Sequence, residues 1–230
     1  MQVKRLNKSS DSHVDGFAGT LRAMSTTPRS RRSQADRRAA AQAALLDAAI
    51  ETLVEDGYAA LTTRGVSERA GVSQGAQQHY FPTKTALVQA AIGRVVPPLV
   101  PWLIGAADPG DSERERVELL LDRMWEIHLL PVGRAGFELY NAARTDTELA
   151  AGIASAHNQA TALTKAAAAQ VVPELATIPG FGDWVLVALS VMRGTAFVSA
   201  IPGTAAGVAD WPTTRTHLLY SLDRLIAEAR

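Results

Sequence analysis

Residues 61–73 read Leu61-Thr62-Thr63-Arg64-Gly65-Val66-Ser67-Glu68-Arg69-Ala70-Gly71-Val72-Ser73, and this stretch decides the fold. Thr62 or Thr63 can accept a hydrogen bond from the free N–H groups that open a helix. Gly71 can take the left-handed conformation that closes one, and Ser73 can cap the next. The spacing predicts two short helices joined by a three-residue turn, the second covering Gln74 to Tyr80. That is the helix-turn-helix arrangement, whose second helix lies in the major groove of DNA.

Upstream, Leu46, Ala49, Ile50, Leu53 and Val54 recur at spacings of three and four, which predicts a helix over about 37–56 closed by Gly57. Downstream, Pro82 ends the reading helix. Thr83-Lys84-Thr85-Ala86-Leu87 then starts a fourth, expected to stop at Val96 before Pro97, Pro98 and Pro101. Further helical segments are expected at 112–129, 133–144, 146–171, 182–201 and 213–229, the last capped by Thr213 or Thr214. No segment alternates with period two. The expected fold is all-α: a flexible arm at 1–36, an N-terminal three-helix helix-turn-helix head at 37–88, and a larger C-terminal helical effector and dimerisation domain at 89–230.

The 230 residues carry 23 basic and 23 acidic side chains, for a net charge of zero. That average hides a polarity, because residues 1–92 hold 12 basic against 8 acidic groups and residues 93–230 hold 11 against 15. No carboxylate occurs from Arg69 through Lys84. Phosphates repel carboxylates within a Debye length, so this local absence matters more than the total. The basic run Arg29, Arg31, Arg32, Arg37 and Arg38 fits phosphate or minor-groove contact, or equally a solvated tail.

The chain has no cysteine, which removes disulfides, thiolate metal sites and cysteine nucleophiles and fits a reducing cytoplasm. The first 23 residues lack the apolar core of a secretory signal, and Met24 is a candidate start. The apolar run Trp184–Ile201 carries Arg193 at its middle, which costs about 2.5–3.5 kcal/mol inside a bilayer. A covered helix is expected there, and no membrane partner.

Within the reading helix, Gln74, Gln77 and Gln78 can each pair bidentately with adenine, and His79 can reach a phosphate or a guanine N7. Together, Gly57-Tyr58, Thr62-Thr63, Ala70-Gly71-Val72-Ser73, Gly75, Tyr80-Phe81 and Lys84 with Leu87 resemble the TetR family of one-component transcriptional regulators, over about residues 37–90. The resemblance implies phosphate contacts at Thr63, Arg64, Tyr80 and Lys84, and groove-reading positions at Gln74, Gly75, Gln77, Gln78 and His79. Where that family commonly has a Leu-Tyr pair, this chain has Gln77-Gln78. Gln77 therefore reads either as a groove contact or as an inward side chain bonded to nearby backbone. Glu68 and Arg69 read as solvated charges, and Tyr58 as packing the first helix against the head.

The larger half shows no motif of its own. Its candidate ligand-binding residues are Trp102, Trp125, His128, Phe137, Tyr140, Asn141 and His157, which fall on helical faces able to line an apolar cavity with a few polar groups. Each also fits a core role, and Trp102 fits either a lid or a helix-end anchor. The resemblance implies a homodimer packed through residues 182–201 and 213–229.

Catalytic classes find little support. There is no Glu-x-x-His pair for a di-iron bundle, no zinc pattern, no Gly-x-Ser-x-Gly elbow and no phosphate-cradling glycine loop, and no cofactor is expected. The expected function is a ligand-responsive transcriptional regulator, a repressor released from a pseudo-palindromic operator by a small-molecule effector. The alternatives are a helical small-molecule-binding or catalytic protein without operator specificity, and a sequence-tolerant DNA-coating protein, against which the low total charge argues.

Overall fold

The computed structural model describes residues 33–105, 108 and 110–229. Among these the chain is α-helical, with two 3-10 turns and no strand. Arg29, Arg31 and Arg32 of the expected basic arm lie outside the described residues. The helix α1 (Gln34–Glu55) starts ahead of the expected residue 37. A reciprocal cap explains this: Ser33 Oγ accepts the Asp36 N–H at 3.1 Å and Asp36 accepts the Ser33 N–H at 2.9 Å. Arg37 and Arg38 are thus exposed helical residues rather than part of an arm.

Residues 41–230 form one compact unit. After α1, Gly57 adopts φ +81° and opens a one-turn helix, α2 (Gly57–Ala60), which periodicity is too short to reveal. The helix-turn-helix follows as α3 (Thr63–Ala70) and α4 (Gln74–Tyr80). Thr62 is the cap, accepting the Gly65 N–H at 3.0 Å. Gly71 ends α3 at φ +64°, and Ser73 caps α4 through the Ala76 N–H.

Helix α5 (Lys84–Ile104), capped by Thr83, runs through Pro97, Pro98 and Pro101 instead of stopping at Val96. An interior proline removes a backbone hydrogen bond and costs about 3 kcal/mol. Packing outweighs that cost here, because Leu87, Val88 and Ala91 fill one core while Leu103 fills another. The boundary expected at residue 88 therefore falls inside one continuous helix.

The remaining helices are α6 (Glu113–Leu129), α7 (Pro131–Ala143), α8 (Thr147–Val171), α9 (Phe181–Ser199) and α10 (Trp211–Glu228). Asp210, not Thr213 or Thr214, caps α10, accepting the Thr213 N–H at 2.9 Å. Two apolar cores result. One gathers Leu45, Ala49 and Leu53 of α1, Leu61, Val66 of α3 and Leu87 of α5, together with Ala135 and Leu139 of α7 and Leu149 and Ile153 of α8. The other joins α6, the end of α8, α9 and α10 around Leu121, Met192 and Leu222. The core under the reading helices is thus completed by α7 and α8.

Helices α5 and α9 are long and apolar enough to cross a membrane by length and composition. In α9, Trp184, Ala188, Leu189 and Met192 are buried, and the Trp184 indole N–H donates to the Leu218 carbonyl at 3.1 Å. Its other face, expected to be covered, is exposed in the single chain at Leu186, Val187, Val191, Phe197 and Val198.

Candidate functional site

The reading helix α4 stands on the head with Gln74, Gly75, Gln78 and His79 exposed. A side chain at Gly75 would meet no heavy atom within 4 Å, so the surface there is open to a groove. Tyr80 is half-buried against the head's core, with its ring 5.3 Å from that of His79. Thr63 opens α3, and Arg64 is exposed, paired at 2.9 Å with Glu68. A pair this exposed holds its partner weakly, leaving the guanidinium able to exchange Glu68 for a phosphate.

Gln77 is corrected. Its side chain is 2% exposed, and Nε2 donates to the Phe81 carbonyl at 2.6 Å. A buried amide needs such a partner, and here it closes the end of α4 instead of reaching a base. Arg69 is also not a simple solvated charge, since it bridges Glu55 at 3.0 Å and Asp56 at 2.8 Å and so ties α3 to the end of α1.

Lys84 sits differently from a free phosphate ligand. Its ammonium donates to the Tyr58 carbonyl at 2.7 Å and lies 3.8 Å from the centre of the Tyr58 ring. Burial lowers its pKa, partly opposed by the charge of Asp146. Tyr58 itself packs on the head's core, as expected. Burial, with Asp146 and Glu148 nearby, raises its phenol.

Behind the head lies an apolar cavity of about 190 Å³. Ile50, Leu53 and Val54 of α1 form one wall, Ile92, Val95 and Leu99 of α5 another, and Phe137, Leu139 and Tyr140 of α7 a third. The half-buried side of the α1 stripe thus faces this space. Of the expected ligand-binding residues, His128, Phe137, Tyr140 and His157 line it, and Asn141 lines an adjoining space with Phe137, Tyr140 and Arg144.

Trp102 and Trp125 do not join them. Trp125 stacks on Trp211 with ring centres 4.9 Å apart, and the Arg123 guanidinium lies 4.5 Å from the Trp102 ring. Both pack against the second core, where a large flat ring buries more area than at a cavity edge.

His128 Nδ1 lies 2.6 Å from the Met124 carbonyl. A carbonyl only accepts, so Nδ1 carries the proton and Nε2 is the ring's free acceptor when neutral. Burial holds His128 below the usual histidine range, with the Arg193 charge adding to it against the Met124 bond. Burial and then Arg193 also lower His157, whose Nδ1 is 3.0 Å from the Tyr140 hydroxyl. Arg193 is the cavity residue that sequence reasoning did not place there. Its signal was present as a lone cation interrupting an apolar helix.

Residues 45–91 match the family described as bacterial regulatory proteins, tetR family. The HTH-type transcriptional regulator CymR of Pseudomonas putida is 48% identical over 60 residues, covering 26% of this chain and 30% of CymR. An uncharacterized HTH-type transcriptional regulator of Mycobacterium tuberculosis is 29% identical over 172 residues, covering 74% of this chain and 88% of that protein. Among solved structures, the transcriptional regulator FadR from Bacillus subtilis, in complex with stearoyl-CoA, is similar with a TM-score of 0.57 at 14% identity, covering 78% of this chain and 96% of FadR. Residues 45–91 thus form a tetR-type head, and over most of its length the chain is similar to bacterial transcriptional regulators with a helical second half.

Proposed function

We propose that this chain is a transcriptional repressor that binds a pseudo-palindromic operator as a homodimer and releases it when a small molecule fills the α1–α5–α7 cavity. The observation that carries the proposal is the shared wall. Ile50, Leu53 and Val54 line the cavity, while Leu45, Ala48 and Ala49 of the same helix belong to the core beneath the reading helices. An occupant that shifts α1 also shifts the head. In thermodynamic terms the occupant favours a state whose two heads no longer match successive major grooves about 34–36 Å apart, with a coupling of about 1–3 kcal/mol.

In the bound complex Gln74, Gly75, Gln78 and His79 read base edges, and Thr63, Arg64, Tyr80 and Lys84 hold phosphates. Lys84 does so by turning from the Tyr58 carbonyl or by using its remaining donors. The second copy packs on the exposed apolar face of α9 and on α10, where Tyr220 is 62% exposed. One small head contacts too few base pairs for specific binding, and a two-fold pair removes both problems. Such a protein acts in the bacterial cytoplasm, where the operator is.

Selection of bound sequences from a random duplex library at near-physiological salt tests this. Enrichment of an inverted repeat is expected. Recovery of unrelated sequences by the folded protein overturns it.

A further inference from the structure

Three cavities meet at one side chain. Arg193 borders the space of about 190 Å³ against α1, a second of about 100 Å³ against Leu99 and Leu103, and a third of about 380 Å³. Arg144 and Asn141 stand on the third. Among the described residues no aspartate or glutamate lines any of the three. Among the described residues neither Arg193 nor Arg144 has a side-chain hydrogen bond or ion pair, although the half of the chain that carries them has an acidic excess.

Arg144 is exposed, but Arg193 is half-buried beside apolar walls, and a guanidinium so placed without a counter-charge gains a partner when an anion enters. The planar fork of an arginine pairs with a carboxylate through two parallel hydrogen bonds. The Tyr140 hydroxyl, on the same cavities, adds a donor that a carboxylate accepts.

Resting on the proposed function, we propose that the effector is an amphipathic monocarboxylate, its carboxylate held by Arg193 and its apolar body lying between α1, α5 and α7. The volume sets the scale of that body. An apolar cavity of about 150 Å³ holds a benzene ring, so about 190 Å³ suits a ring with a small alkyl group or a medium-length chain. The electrostatics of the cavity agree: the Arg193 charge helps to lower the pKa of both His128 and His157, and a bound carboxylate offsets that charge.

The test is a binding series on the full-length protein. Straight-chain acids from hexanoate to dodecanoate and 4-alkylbenzoates are compared with their primary amides by thermal shift and titration calorimetry. At least one acid is expected to bind tenfold or more tighter than its amide. Arg193→Gln is expected to lose that preference while still binding the amide, and Arg193→Lys to keep part of it. Equal binding of acids and amides, binding of neither, or a preference that survives Arg193→Gln overturns the assignment. If Arg193→Gln binds nothing, Arg193→Lys decides, and loss of the preference there also overturns it.

Operator release is measured separately on the same compounds. An acid that binds through Arg193 without releasing DNA leaves the ligand class standing and sinks the regulatory reading. Release by neutral compounds alone does the reverse.

Discussion

The Glu138 carboxylate accepts the backbone N–H of Tyr58 at 2.8 Å, joining residues 80 apart in sequence. It thereby pins the start of α2, in the head, to α7, whose Phe137, Leu139 and Tyr140 line the cavity. Lys84 clasps the carbonyl of the same Tyr58. One peptide segment is thus held from both sides, by a helix that lines the cavity and by the helix that follows the reading head.

Gly57 lies at the heart of this joint. A Cβ there would sit 2.6 Å from Glu138 Oε2, at a backbone φ of +81°. Gly57→Ala is expected to cost about 1–2 kcal/mol from the backbone conformation and to displace the Glu138 carboxylate from the Tyr58 N–H, a hydrogen bond whose loss in Glu138→Ala costs about 1 kcal/mol. The double variant should lose less than both together, because Ala at 138 removes the clash. Urea denaturation of the four proteins checks this, and strict additivity would show that the two residues do not share a joint.

Gln77 and Gln78 should separate cleanly. Gln78→Ala is expected to relax preference at one base position, costing about 1–3 kcal/mol at the cognate site. Gln77→Ala leaves the Phe81 carbonyl without its partner and should lower stability by about 1–3 kcal/mol. Base preference should be unchanged in Gln77→Ala, as measured by binding to a set of singly substituted operators. Altered base preference in Gln77→Ala would put that side chain back in the groove.

Tyr80→Phe and Lys84→Ala are expected to weaken binding to every duplex alike, because the partners proposed for both are phosphates. The slope of log affinity against log salt should fall by about 1 for Lys84→Ala. A sequence-dependent loss in either variant would contradict the assigned roles.

The two cavity histidines predict a pH effect on stability. The folded pKa values of His128 and His157 are lowered below 6.5, so below that pH the unfolded chain binds more protons than the folded one. Stability is therefore lost as pH falls through 6.5, where the imidazoles of the unfolded chain take up protons first. His128→Gln should flatten that fall in chemical denaturation. An unchanged pH profile would show that His128 is not held neutral by the fold.

The exposed face of α9 makes a prediction about assembly. Val187 and Val191 stand in a row of exposed apolar side chains on α9, the kind of patch that marks an interface, and Val187→Glu together with Val191→Glu should give a folded monomer by analytical ultracentrifugation. Its operator affinity should drop more than 100-fold. A dimer that persists in this variant would move the interface elsewhere.

The head was legible because its signals are local. Thr62, Gly71 and Ser73 act within one or two turns of themselves, and each does in the fold what its chemistry suggests. Gln77 was not, since its direction depends on how α4 sits on the core, and the sequence pattern alone left both readings open. Pro97, Pro98 and Pro101 misled because their local cost is outweighed by long-range packing. The cavity was half legible. His128, Phe137, Tyr140 and His157 share faces that periodicity finds, but only the fold separates them from Trp102 and Trp125. Arg193 looked like an interruption in an apolar helix until that helix was packed beside α6, α7 and α8.

Filling the cavity should move the head, and Ala156→Phe tests this without knowledge of the effector. Ala156 lines the cavity on α8, so the ring enters the space that an effector would take. Operator affinity of the folded dimer, measured by fluorescence anisotropy, is expected to fall about 5–150-fold, the range of a coupling of about 1–3 kcal/mol. Unchanged affinity, with a crystal structure placing the Phe ring inside the cavity, would contradict the claim.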